Sequence, residues 1–279
     1  MRRIIHLSDL HYGRVDAALE TPLIEAVTRL KPDLTVISGD FTQRARRRQF
    51  AQARAFLDRV PGPVLCVPGN HDTPLDNLFL RFLRPFYRYK HFINRDLEPV
   101  FEDTEMLVAG VNTVNRFAWQ SGKVGTGRLR RLATRMEGAG DRLRVAVLHH
   151  PLEHAPGVDK RLMRGASAAL EALSEAGADL VLSGHLHRAG AEPFRTVPGL
   201  LFVQAGTGLS TRLRDGQGNT FNQIDCDGEV LRITQWDAER GEAPGFFPAP
   251  PQAWQRGAEG WERLDPAGAG APPAQAAAE

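Results

Sequence analysis

Arg3-Ile4-Ile5-His6-Leu7, Leu34-Thr35-Val36-Ile37-Ser38 and Pro63-Val64-Leu65-Cys66-Val67 are three short apolar runs, and what separates them decides the fold. Between the first two, Ala17 to Leu30 sets Leu19, Leu23, Ile24, Val27 and Leu30 on one helical face, and Lys31-Pro32-Asp33 ends that helix. Between the second and third, about Arg46 to Val60 reads as a basic helix. Strand, helix, strand, helix, strand is the pattern of a parallel sheet with crossover helices, so the fold class is α/β. Pro68-Gly69 breaks the third run into a loop, and loops at strand ends are where sheet enzymes place their chemistry.

Further along, Phe101 to Val111 alternates loosely as a strand pair, Gly125 to Met136 and Gly165 to Ala176 read as helices, and Leu143 to Leu148 and Asp179 to Ser183 as strands. Leu200 to Gln204, Phe221 to Asp225 and Val230 to Gln235 are strands joined by turns such as Asp227-Gly228, so the chain begins as α/β and finishes as β. Residues 74–100 hold Phe79, Phe82, Phe86, Tyr87, Tyr89 and Phe92 among arginines and lysines. They read either as a lid that presents cations to phosphate or as two short helices with aromatics inward and arginines solvated. One catalytic domain over 1–240 is expected, with a Pro/Ala/Gly-rich tail over 241–279 whose end, from Pro266 to Glu279, lacks structure. No internal repeat is present, and Gly122, Gly125 and Gly127, or Gly206 and Gly208, match no nucleotide-binding loop.

At 279 residues the chain can bury a large core. Thirty-five basic and 33 acidic residues leave a formal net charge of +2, which gives no general pull toward nucleic acid or anionic membranes, so any anion binding must be local. Cys66 and Cys226 lie far apart in apolar surroundings, which points to core thiols in a reducing compartment rather than a disulfide framework. No run approaches the roughly 20 apolar residues of a membrane span. The apolar run after Met1-Arg2-Arg3 is too short for a signal peptide, and a soluble, cytoplasmic protein is expected.

Polar clusters follow the apolar runs at five places. Asp9 and His11 are two apart after the first strand, and His185 and His187 repeat that spacing after another; in extended backbone each pair leaves one face and can hold one cation. Asp40 follows Gly39, whose backbone freedom allows close approach, and its two oxygens can bridge two ions. Asn70 offers a neutral oxygen and His149 a further nitrogen. Seven residues then make about eight bonds to two ions roughly 3.5 to 4 Å apart, with positions left open for water and substrate. Imidazole and carboxylate without thiolate suit Mn, Fe, Zn or Co.

Asp9-Leu10-His11, Gly39-Asp40, Gly69-Asn70-His71-Asp72, His149-His150-Pro151 and Gly184-His185-Leu186-His187 occur in the order of the D-x-H, G-D, G-N-H-D/E, H-x-P and G-H-x-H blocks. The chain thereby resembles the calcineurin-like metallophosphoesterase superfamily, over residues 9–187. The resemblance implies two mixed β-sheets packed as a sandwich flanked by helices. It implies one ion on Asp9, His11, Asp40 and His187, and another on Asp40, Asn70, His149 and His185. His149 rather than His150 is the implied ligand because the pattern spaces it two before the proline. Asp72 reads as a helix cap or hydrogen-bond partner, and His154 as a solvent-exposed loop histidine.

The chemistry this implies is hydrolysis of a small phosphodiester by metal-bound hydroxide, in the manner of bacterial cyclic-nucleotide and glycerophosphodiester phosphodiesterases. His71, beside Asn70, is the candidate catalytic residue that stabilises the transition state or protonates the leaving oxygen. The alternatives are a phosphomonoesterase, a nucleotide-sugar pyrophosphatase and a metal-free scaffold, the last disfavoured because all seven ligands remain. A small phosphate ester is the expected partner, with no membrane span; the charge balance argues against nucleic acid.

Overall fold

The structure, a computed structural model, describes residues 1–154, 161–214, 216–228, 230–257 and 260–264. The stretch from Pro266 to Glu279, expected to lack structure, lies outside the described residues.

Strand β1 (Arg2–Leu7), helix α1 (Glu20–Leu30), β2 (Leu34–Ile37), α2 (Arg47–Leu57) and β3 (Val64–Cys66) follow one another as the alternation required. The three strands are parallel, with Ile4 opposite Leu34 and Thr35 opposite Val64. Alternation along β1 splits its side chains between two cores: Ile4 packs with Leu34, Val36 and Leu65 on the inner face, while Ile5 and Leu7 pack with Leu23, Val27, Phe50 and Phe56 of the helices. Lys31, left-handed at φ 49°, caps α1 by donating its amide to the Thr28 carbonyl, and Pro32 forbids another turn. The helix starts at Glu20 rather than Ala17, because Ala17–Leu19 form a separate 3-10 turn with Asp16 accepting from the Ala18 amide.

Two short helices, α3 (Leu78–Leu83) and α4 (Tyr87–Phe92), lead to β4 (Val100–Glu102), β5 (Met106–Val111), α5 (Thr126–Glu137), β6 (Leu143–Leu148), α6 (Ala166–Glu175), β7 (Leu180–Ser183), β8 (Gly190–Pro193) and β9 (Leu201–Gln204). The second sheet runs β4-β5-β6-β7-β9-β8, with β5, β6, β7 and β9 parallel and the edges antiparallel. β10 (Thr220–Asp227) returns to the first sheet antiparallel to β1, followed by β11 (Val230–Glu239). The two sheets face each other through Val108, Val145, Val147, Leu182 and Val203 against Ile4, Val36, Leu65 and Ile224. Each such side chain contributes about 1.5 to 3 kcal/mol on full burial. α5 and α6 cover the outer face of the second sheet.

Strands continue past residue 240. β12 (Gly245–Pro248), β13 (Gln252–Gly257) and β14 (Gly260–Leu264) extend the first sheet to β14-β13-β11-β10-β1-β2-β3, with β12 also on β11. Single aromatic anchors hold them: Trp254 and Trp261 enter the core between the sheets, and Phe246 packs on the helical side. Pro and Gly between those anchors hide any apolar period from a reader of the sequence.

Residues 74–100 divide between the two expectations. Tyr89 is buried and Phe86 and Phe92 pack against the core, whereas Phe79 and Tyr87 are exposed. Arg81 is not solvated: its guanidinium is buried, donating to Thr73 Oγ1 at 3.0 Å and to the carbonyls of Pro74 and Ala118. Cys66 and Cys226 are free thiols, and burial pushes them up to about 12 and about 11. Among the described residues no helix is long and apolar enough to cross a membrane.

Candidate metal centre

All seven candidate ligands sit just past the carboxyl ends of parallel strands: Asp9 and His11 after β1, Asp40 after β2, Asn70 after β3, His149 after β6, His185 and His187 after β7. Six are buried, and His185 is half-buried. Five of them, Asp9, His11, Asp40, His185 and His187, have positive φ between 52° and 73°. The i, i+2 pairs therefore do not leave one face of an extended strand, as the spacing suggested: β1 ends at Leu7 and β7 at Ser183. Left-handed turns bring each pair together instead. Such conformations cost non-glycine residues of order 1 to 3 kcal/mol each, and they cluster at functional sites.

Two sets of donors form. In the first, His11 Nε2 lies 3.0 Å from His187 Nε2, and Asp9 Oδ1 lies 3.1 Å from His187 Nε2 and 3.5 Å from His11 Nε2. In the second, Asn70 Oδ1 lies 3.1 Å from both His149 Nε2 and His185 Nδ1. Asp40 Oδ2 stands between them, 3.8 Å from His11 Nε2 and 3.4 Å from His149 Nε2.

Hydrogen bonds behind the donors fix which atoms face inward. His149 Nδ1 meets the Ser38 carbonyl at 2.8 Å and His187 Nδ1 the Arg212 carbonyl at 2.9 Å; a carbonyl only accepts, so both Nδ1 atoms carry a proton and both Nε2 atoms are the ones turned to the cluster. Asp9 Oδ2 accepts from Ser8 Oγ and the His185 amide, while Oδ1 is fully buried and turned to the ring nitrogens of His187 and His11. Asp40 Oδ1 accepts from the His71 amide, leaving Oδ2 free.

Electrostatics call for positive charge here. Burial works against the Asp9 and Asp40 carboxylates, yet the facing imidazoles, His187 for Asp9 and His149 for Asp40, hold both well below the usual range. Burial likewise opposes a charged His149, and Asp40 overcomes it to raise the imidazole to about 9. In the metal-free chain a proton on His149 Nε2 meets that need for positive charge, and a cation bound by the same imidazole nitrogens and carboxylate oxygens would replace it. Donors bound about 2.1 Å from one ion stand about 3.0 to 3.4 Å apart, near the separations found in both sets. The residues therefore fit metal ions.

The motif glycines allow this closeness. Gly39 has φ 106°, and a Cβ there would come within 2.6 Å of His149 Nδ1. A Cβ on Gly184 would fall on Ser8 Oγ and Asp9 Oδ2.

Asp72 is no ligand. Its Oδ1 accepts from the Thr42 amide and hydroxyl and its Oδ2 from the amides of Phe41 and Gly69, tying the loop of Asp40 to the loop of Asn70. His150 lies behind His149 and His185 with Nδ1 2.8 Å from Thr113 Oγ1; burial, then His185 and His149, keep it neutral. His149, His150 and His185 nevertheless bring three ring nitrogens within 4.8 Å of one another. His154 is half-buried rather than exposed.

His71 turns its ring edge to His11, with Nδ1 2.9 Å from the Gln43 carbonyl and Nε2 3.4 Å from Arg212 Nη1. Both lie on the wall of the site, where a cleft of about 680 Å³ opens beside Asn70 and His71. Arg212 was not anticipated from the sequence, although its loop follows an apolar run, Leu200 to Gln204, like the other site loops. Thr207 in that loop donates to the Asp9 carbonyl at 2.6 Å, so the Gly206-Gly208 segment supports the site without being a nucleotide loop.

The profile of the calcineurin-like phosphoesterase family matches residues 2–189. The chain is 28% identical over 173 residues to glycerophosphodiester phosphodiesterase GpdQ of Enterobacter lignolyticus, covering 53% of this chain and 56% of that protein. It is 25% identical over 205 residues to a probable glycerophosphodiester phosphodiesterase GpdQ of Arcobacter nitrofigilis, covering 66% and 71%. The chain thus spans little more than half the length of the first relative. Among solved structures, PhoD superposes with a TM-score of 0.73 at 9% identity, covering 95% of this chain and 71% of that one. Purple acid phosphatase PPD1 of yellow lupin gives 0.63 at 12% identity, covering 85% and 51%. At such identities the likeness shows the fold: a sandwich of two mixed sheets flanked by helices.

Proposed function

Because this chain belongs to the calcineurin-like phosphoesterase family, we propose that it is a phosphodiesterase that hydrolyses a small phosphodiester at a dinuclear metal centre. Asp9, His11, Asp40 and His187 would hold one ion and Asp40, Asn70, His149 and His185 the other. The observation that carries this reading is the position of Asp40 Oδ2, between His11 Nε2 of one donor set and His149 Nε2 of the other. Nitrogen and oxygen donors without thiolate favour Mn, Fe, Zn or Co.

Bound ions of this kind supply charge for the phosphoryl oxygens and lower the pKa of a water toward neutrality. The chain's own residues do the rest. Asp72 and Ser38 keep the loops and rings in place. In the hydrolysis a water oxygen bonds to phosphorus, the ester P–O bond breaks, and the departing oxygen takes up a proton. His71 is held by the Gln43 carbonyl so that Nε2 faces the cleft; once Nε2 takes up a proton from solvent, in place of the Arg212 N–H beside it, it donates that proton to the departing oxygen. Arg212 beside it adds a fixed positive charge to the same wall.

The diester reading draws on two relatives named for glycerophosphodiesters. It is tested by kcat/KM for bis(p-nitrophenyl) phosphate and p-nitrophenyl phosphate after reconstitution with Mn. A preference for the diester is expected; a preference for the monoester would replace phosphodiesterase by phosphomonoesterase.

A further inference from the structure

We propose that the substrate carries a second anionic group, bound by Arg14, Arg44 and Arg46 across the cleft from the scissile phosphate. The proposal rests on the phosphodiesterase reading and narrows its substrate class.

Arg14, Arg44, Arg46 and Arg212 line the cleft of about 680 Å³, and among the described residues no Asp or Glu lines it. Among the described residues none of the four has an ion-pair partner, whereas Arg2, Arg142 and Arg256 of a second arginine-lined cleft do. At the far ends of the strands, a second cleft of about 600 Å³ also holds several arginines. There Arg2 meets Asp33, Asp103 and Glu105, Arg142 meets Glu102, and Arg256 meets Asp179.

The arginine loop is built. Gln49 Oε1 accepts from the Arg44 amide at 2.9 Å and the Arg46 amide at 3.3 Å, and Gly13 leaves room for the Gln49 amide. Arg46 is also the N-cap of α2, so the positive end of that 11-residue helix opens on the same cleft. Arg212 sits nearest the reaction, against His71, and serves the scissile phosphate. The other three are exposed at the rim, and among the described residues no carboxylate of the cleft satisfies them. A choline or other cationic head group would meet repulsion there, and a carboxylate or a second phosphate would find paired guanidinium donors.

The test uses two matched pairs on the Mn-loaded full chain. Glycerophosphoserine and glycerophosphoethanolamine differ by one carboxylate; d(pApA) and d(ApA) differ by one phosphate. Each is measured as a substrate and as a competitor of bis(p-nitrophenyl) phosphate, which yields an inhibition constant whether or not the competitor turns over. The anionic member is expected to be favoured about tenfold or more in at least one pair. The pair that shows the preference says whether the group is carboxylate or phosphate. In Arg44→Ala/Arg46→Ala the preference should shrink toward unity. Equal constants within both pairs, or a preference that survives the double variant, would overturn the proposal. If bis(p-nitrophenyl) phosphate is not hydrolysed, the phosphodiesterase reading fails on its own. Calorimetric titration of the same four compounds then decides the anion site by the same ratios.

Discussion

Asp72 accepts four hydrogen bonds and leaves no lone pair facing the cluster, which makes it the strut of the site rather than a ligand. Burial and the neighbouring Asp40 push its carboxyl up, against the pull of the Gly69, Thr42 and Phe41 amides. The sequence distinguishes it from Asp40 by position in a block, Asp40 directly after Gly39 and Asp72 three residues after Gly69. His6 is a second buried group whose role follows from its surroundings: Nε2 meets Ser38 Oγ at 2.9 Å, Nδ1 has no partner, and burial depresses the imidazole to about 3 against the pull of Asp9. It stays neutral in the folded chain while an unfolded histidine takes a proton near pH 6.5. Below that pH the unfolded state binds the extra proton, so His6 costs stability progressively from about 6.5 down to about 3. Urea unfolding between pH 4 and 6 should show His6→Gln with an acid limb shallower than wild type by about 1.4 kcal/mol per pH unit. Parallel limbs would mean that His6 is protonated in the fold. The residue types of the centre were legible because each is a known donor at a strand end; Arg212 and Gln43 were not, because an arginine or glutamine in a loop is ordinary until a ring nitrogen and a cleft are seen beside it.

At the scale of elements, the strand-helix alternation of 3–67 was readable because each strand is a continuous apolar run and each helix keeps its spacing. β8 was not: Gly190–Pro193 is an exposed edge with no apolar run. β12 to β14 were hidden by their Pro and Gly. The loops that bear the candidate ligands follow strands as expected but have a different backbone, since a strand end says nothing of the left-handed turn that follows it. That turn makes the loops of the two sheets interlock, with the His185 amide donating to Asp9 Oδ2 at 2.9 Å over Gly184. Gly184→Ala pushes a Cβ into Ser8 Oγ and Asp9 Oδ2, so it should lower stability by about 1 to 3 kcal/mol in urea and weaken metal retention. Unchanged stability and full metal content would show that the two loops can part without consequence.

At the scale of the whole molecule, each donor set takes residues from both sheets. Asp9, His11, Asp40 and Asn70 come from strands of the first sheet, His149, His185 and His187 from the second. The inter-sheet core holds the two halves in register, and ions bound at the seam would add a clamp that only the folded chain offers. The central claim is that Asp40 is shared between two cation sites. It is tested most directly by counting metal per chain by inductively coupled plasma mass spectrometry after Mn loading and desalting, in wild type and in Asp40→Ala. The account expects about two ions in wild type and at most one in the variant. One ion in wild type, or two retained without the Asp40 carboxylate, would contradict it.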